Sequence, residues 1–155
     1  MRKVSSRMRS LAVLELINIA LIGWFVFSAL DAPRTAANLA GYCATAILLA
    51  VGASYWLVKL GQVRAGLPRL PHAMTFRRLR LVCALVVLAA AILVASALAN
   101  PPSEYVAGLV LLLLAAAEYV NYFHWQLMYD NRTDLTRLSR TGRLARAHLW
   151  RDLWR

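Results

Sequence analysis

LVCALVVLAAAILVASALA, residues 81–99, runs nineteen positions without a charge. As an α-helix it rises about 28 Å, close to the ~30 Å hydrocarbon core of a bilayer. A transmembrane β-strand would need only ~10 residues and would alternate apolar with polar positions, and nothing here alternates. Arg77, Arg78 and Arg80 precede the stretch, and Asn100-Pro101-Pro102-Ser103 follows it.

Reading outward, three more runs have the same character: Leu11 to Leu30, Thr35 to Val58 and Tyr105 to Tyr129. Apolar residues make up 61% of the 155-residue chain and charged residues 16%, with the charges collected in blocks between the runs. That arrangement excludes an ordinary soluble domain, whose charges are interspersed. The expected fold class is all-α: a polytopic membrane protein whose four spans (11–30, 35–58, 81–99 and 105–129) form a helix bundle. This transmembrane domain covers residues 1–130, and a basic amphipathic cytoplasmic tail covers 131–155. The first span follows a basic segment, as a signal peptide would. Its apolar run of about 20 residues exceeds the roughly 7–15 of a removable signal and contains Glu15 and Asn18, so it reads as a retained anchor.

Charge sets the expected orientation. Of eighteen Lys and Arg residues, four lie in the N-terminal segment, six between Lys59 and Arg80, and seven from Arg132 to Arg155. Only Arg34 falls on the opposite side. The positive-inside rule places the other seventeen in the cytoplasm, with both termini, in a bacterial-type inner (plasma) membrane. The net charge of +11 is therefore first a topology signal. Nucleic-acid binding is the weaker reading, because no recognition motif accompanies the arginines. The outer loops, Asp31–Arg34 and Asn100–Ser103, are too short for an external domain and force antiparallel neighbours. Cys43 and Cys83 differ in depth by more than a disulfide spans and read as packed small apolar residues.

The polar residues inside the spans carry the functional reading. Span one holds Glu15-Leu-Ile-Asn18 and span four Glu118-Tyr-Val-Asn121, each a Glu and an Asn at i and i+3 on one helix face. An intramembrane carboxyl costs about 2.5–3.5 kcal/mol at the bilayer centre and is by default a functional-site hypothesis. At about 100° per residue, Glu118, Asn121, Tyr122, Trp125, Gln126 and Tyr129 share one broad face of span four, with His124 on its flank. Depths estimated at 1.5 Å per residue put Asn18 and Asn121 about 12 Å from the inner end, Glu15 and His124 about 7–8 Å, and Glu118 about 16 Å. That pairs Asn18 with Asn121 and Glu15 with His124. Ser54 and Tyr55 of span two lie at the level of Glu15. The expectation is a ligand- or ion-binding pocket in the cytoplasmic half, built from Glu118, Asn121, Tyr122, His124, Gln126, Glu15 and Asn18. Against it stands a structural reading: Asn and Gln often only bond neighbouring helices, and Trp125, Tyr129, Tyr55 and Trp56 would suit an interfacial belt.

No cofactor is legible. A di-iron carboxylate bundle uses Glu-x-x-His pairs, and here the i+3 partner is Asn. A haem needs an axial His, and the spans offer His124 alone. The cytoplasmic loops hold no catalytic serine, phosphate loop or acidic metal motif, so the reading leans away from an enzyme. Small residues at helical spacing, Ala37, Gly41, Thr45 and Gly52, permit close helix approach. After Tyr129 the tail is expected to form a basic amphipathic helix, capped by Thr133, with Arg137, Arg140, Arg143, Arg146, Trp150 and Trp154 meeting the membrane surface, the protein's own inner face or a partner. The leading reading is a homo-oligomeric or accessory binding subunit alongside a larger membrane protein. A proton or cation channel or transporter using Glu118 is the alternative, and a redox or lipid-modifying enzyme subunit the third.

Overall fold

The computed structural model describes residues 2–128, 136, 139–140, 142 and 144–154, with side chains from residue 5 onward. Helix α1 (Arg2–Trp24) passes into a π-helical turn (Phe25–Ala29). It is followed by α2 (Ala36–Arg64), α3 (Ala73–Ser96), a 3₁₀ turn (Pro102–Glu104), α4 (Val106–Phe123) and a short α5 (His148–Leu153). Among the described residues there is no strand, only an isolated antiparallel bridge between Trp125 and Arg146. Four helices are long and apolar enough to cross a membrane: Ser5–Ala29, Ala36–Arg64, Ala73–Ser96 and Val106–Phe123.

Helix α2 is the centre of the packing and touches α1, α3 and α4. Its sequence explains why. Ala37, Gly41, Thr45 and Gly52 lie along its buried side. Gly41 meets Gly108 of α4 so closely that a Cβ on either would strike backbone of the other helix. Two polar residues lock this crossing. Asn38, fully buried, accepts from the Gly108 amide at 2.8 Å and donates to the carbonyls of Pro33 (2.9 Å) and Ser103 (3.2 Å). Thr45 donates its hydroxyl to the Leu111 carbonyl at 2.8 Å. The Thr35 side chain caps α2 through the Asn38 amide and donates to the Glu104 carbonyl. The α1–α2 and α3–α4 loops are thus tied to one another by side chains at the α2 N-terminus.

Large apolar residues face outward instead of in. Leu81, Leu85 and Leu113 are 68%, 65% and 62% exposed, and Trp24 60%. Surfaces of this kind do not persist in water as contiguous patches. Cys83 is buried as the sequence suggests, but Cys43 is exposed, because it lies on α2 away from the small-residue stripe. Both are free thiols.

Two sequence-based boundaries need correction. Span four does not remain helical to Tyr129: α4 stops at Phe123. The amides of His124 and Trp125 both bond the Val120 carbonyl (2.9 and 2.8 Å), and the Asn121 side-chain oxygen then accepts the amides of Leu127 (2.9 Å) and Met128 (3.3 Å). An Asn side chain that bonds nearby backbone offers it an alternative to the helix. The tail fixes the exit, since the Gln126 amide donates to Ala145 (2.8 Å) and the Ala147 amide to His124 (3.2 Å). The second correction is to the tail. Thr136, Ser139 and Arg140 are helical, but Gly142 and residues 144–147 are not: 144–147 run alongside the segment leaving α4, and helix returns at His148–Leu153. The proposed cap at Thr133, together with Arg137 and Arg143, lies outside the described residues.

Helix α5 folds back against the C-terminal ends of α2 and α4 and the N-terminal end of α3. Leu149 and Leu153 join Tyr55, Phe76 and Phe123 in one hydrophobic cluster. Burying an apolar side chain of this size contributes about 1.5–3 kcal/mol. Six residues have no helical stability alone, so packing holds α5 in place.

Candidate functional site

The carboxyls of Glu15 and Glu118 lie where α1, α2 and α4 converge. Tyr122 of α4, 7% exposed, donates its hydroxyl to Glu15 Oε1 of α1 at 2.7 Å. Glu118, one turn earlier on α4, interacts electrostatically with the same hydroxyl and with Glu15. Asn121 donates Nδ2 to Glu118 Oε2 at 3.4 Å while its oxygen receives the chain leaving α4. One phenol therefore links two carboxyls on different helices. Both Glu15 and Glu118 are only partly covered. Helices α1 and α4 each pack mainly on α2 and barely on one another.

Gly52 of α2 makes the arrangement possible. A Cβ there would collide with the Tyr122 hydroxyl and ring. The sequence reading assigned Gly52 to packing and overlooked this role, although its place in the small-residue stripe of α2 signals a close neighbour.

Not every predicted member is present. The Glu15–His124 pairing is replaced by Glu15–Tyr122, because α4 ends before His124. His124 sits at the helix end against Tyr119, ring centroids 5.4 Å apart. Burial, then the positive charges of Arg80 and Arg146, hold its imidazole below the ordinary histidine range. Asn18 is exposed on α1 and does not meet Asn121. Gln126, 6% exposed, donates to the Met128 carbonyl at 3.1 Å and belongs to the exit turn, away from the carboxyls. Ser54 donates to Ala50 of its own helix. Glu15, Glu118, Asn121 and Tyr122 are the set brought together.

Tyr55 and Trp56 are inward-facing and do not form a lipid-facing belt. Tyr55, 2% exposed, donates to Asp152 Oδ2 at 2.8 Å, and Lys59 Nζ lies 2.7 Å from the same oxygen. Trp56 packs on His148. This clasp between α2 and α5 was missed, though Asp152 is the one acid after Asp134 in an arginine-rich segment. Arg77 of α3 donates to the Leu153 carbonyl and lies over the Trp154 ring. Arg146 lies 4.0 Å from the Trp125 ring centroid and 4.7 Å from that of Trp150. Arg140 is exposed. The described tryptophans and Arg146 of the tail are thus engaged with the protein's own inner end, in stacks contributing about 0.5–1 kcal/mol each.

Among the described residues no three His, Cys, Asp or Glu side chains converge as a metal site would require. The assembled groups are two carboxyls, a phenol and an amide, suited to holding a proton, a cation or a hydrogen-bonding head group. Compared with protein-family models, curated proteins and solved structures, the chain matches none.

Proposed function

We propose that α1–α4 cross the inner membrane with both termini cytoplasmic, and that the chain works as an oligomeric or accessory binding subunit. Its site is the lateral groove of Glu15, Glu118, Asn121 and Tyr122. The observation that carries this reading is the 2.7 Å Tyr122–Glu15 bond joining α4 to α1 at hydrocarbon depth. Helix packing alone explains the bond, but it does not explain a second carboxyl beside it, left partly open. Intramembrane acids of this kind mark ligand or ion sites. A protonated amine or a hydroxyl-bearing head group, reaching the groove sideways from the bilayer, satisfies both oxygens.

The membrane placement draws on the outward-facing leucines and on charge. The N-terminal segment, the α2–α3 loop and α5 share one end of the antiparallel stack, and the positive-inside rule assigns the end that carries their cations to the cytoplasm. Conduction across the whole membrane is the less favoured reading. In the outer half, Asn38, Thr45 and Tyr42 are bonded to backbone carbonyls within the protein, which leaves no chain of free polar groups leading outward.

Native mass spectrometry of detergent-purified protein tests the site. Wild type is expected to carry a bound small molecule, and Glu118→Gln to lose at least ~90% of it, since a charge-assisted bond is worth about 1.5–3 kcal/mol. Glu118→Gln carrying the same ligand at the same occupancy sinks the binding role. Bare wild type combined with an ion flux abolished by Glu118→Gln transfers the site to a channel.

A further inference from the structure

At the opposite end of the molecule a second cavity lies between the π-helical turn and α2. Its volume is about 440 Å³, within the roughly 300–1,000 Å³ of small-ligand sites. Trp24, Phe27 and Tyr42 form its aromatic walls, and Ser28 and Arg34 its polar rim. The construction is specific. Tyr42 donates its hydroxyl to the Ile19 carbonyl at 3.1 Å and meets Phe27 edge-on at 5.6 Å. Its ring lies against Gly23, where a Cβ would clash with it. The π-turn at Phe25–Ala29 re-aims Phe27 and Ser28, and such turns are frequent at functional sites.

We propose that this cavity binds one phospholipid of the outer leaflet, its phosphate on Arg34 and an acyl chain along Trp24 and Phe27. Charge supports the assignment. Among the described residues Arg34 is the one cation at this end of the helices. It forms no ion pair or hydrogen bond with another described residue, Asp31 included. A guanidinium fork matches a phosphate bidentately. Arg34 stands just before the N-terminus of α2, among the residues that line the cavity with Trp24 and Phe27. The aromatic lining suits the first methylenes of an acyl chain, and Ser28 offers a hydroxyl to the ester region.

The proposal rests on membrane insertion, so the experiment separates the two. Membranes bearing the full chain are washed at alkaline pH. Extraction of the protein overturns the membrane reading, and with it this one. Protein that stays is placed in nanodiscs of equal phosphatidylethanolamine and phosphatidylglycerol, and the lipid retained on release is counted by native mass spectrometry. Wild type is expected to hold one phospholipid, with occupancy falling about tenfold in Arg34→Gln, a change equivalent to ~1.4 kcal/mol. Arg34→Lys keeps the charge without the fork and falls between. Ala20→Trp fills the cavity floor, leaves Arg34 in place, and is expected to abolish retention. Arg78→Gln, an exposed cation at the other end, leaves retention unchanged. Equal retention in Arg34→Gln, retention of a free fatty acid only, or no lipid on wild type overturns the proposal.

Discussion

Gly108→Val is expected to lower the melting temperature of the detergent-solubilised protein by roughly 10 °C or to prevent its accumulation. The β-carbon at this position has nowhere to go. It would meet the carbonyl of Ala37 and the amide nitrogen of Asn38, which are backbone atoms that no rotamer change removes. The helices must separate, and the Asn38–Gly108 and Thr45–Leu111 hydrogen bonds lengthen with them. Overpacking costs about 1–3 kcal/mol, and a buried polar group left unpaired a further ~1–3 kcal/mol. At roughly 2–4 °C per kcal/mol for a chain of this size, the sum is about 10 °C. Gly61→Ala is the matched control. Nothing lies within 4 Å of its added carbon, so the substitution only gains helix propensity, about 1 kcal/mol, and the melt rises slightly. A Gly108→Val protein melting like wild type would mean that α2 and α4 do not cross at these glycines.

The four long helices are legible in the sequence because their cause is local. Span length and charge-free composition are properties of consecutive residues, and residues 81–99 suffice to set the pattern. Partner choice is a different matter. Depth arithmetic carries no information about how α1 is rotated. That rotation turns Glu15 to Tyr122 and leaves Asn18 outside. The end of α4 was illegible for a similar reason. Tyr122-Phe123-His124-Trp125-Gln126 contains neither Pro nor Gly, and a 100° repeat continues smoothly through it. What stops the helix is pairing with residues twenty positions later, around Ala145 and Ala147, which no local rule anticipates. The Tyr122 and Asn121 side chains stay in the site because they precede the break, while His124 and Gln126 leave because they follow it.

The same long-range pairing makes Asp152 the residue whose loss propagates furthest. In Asp152→Leu the Lys59 ammonium and the Tyr55 hydroxyl lose a shared partner at 2.7 and 2.8 Å. The side chains of Lys59 and Asp152 are 21% and 13% exposed, so the pair is mostly shielded from water. Breaking a buried pair costs about 3–5 kcal/mol, reduced here to about 2–4 kcal/mol because the lysine keeps some solvent. Besides this clasp, helix α5 is held by Leu149 and Leu153, by Trp56 on His148, by Arg77, and by the backbone bonds of Ala145 and Ala147 just before it. The expected result is release of the tail with α1–α4 intact: tryptic cleavage at Arg146 and Arg151 at least tenfold faster, and no shift in membrane association. Asp152→Asn keeps a carbonyl for Tyr55 and is expected to fall midway. Adding Lys59→Met to Asp152→Leu removes the stranded charge and is expected to restore most of the protection, because an apolar pair replaces an ionic one at little net cost. Cleavage at the wild-type rate in Asp152→Leu would show that the apolar contacts alone seat α5. Release would also free residues 124–126 from Ala145 and Ala147, and with them the turn that Asn121 holds. Ligand occupancy at Glu118 is therefore expected to fall in Asp152→Leu and to return in the double variant, which ties the α5 clasp to the site between α1 and α4.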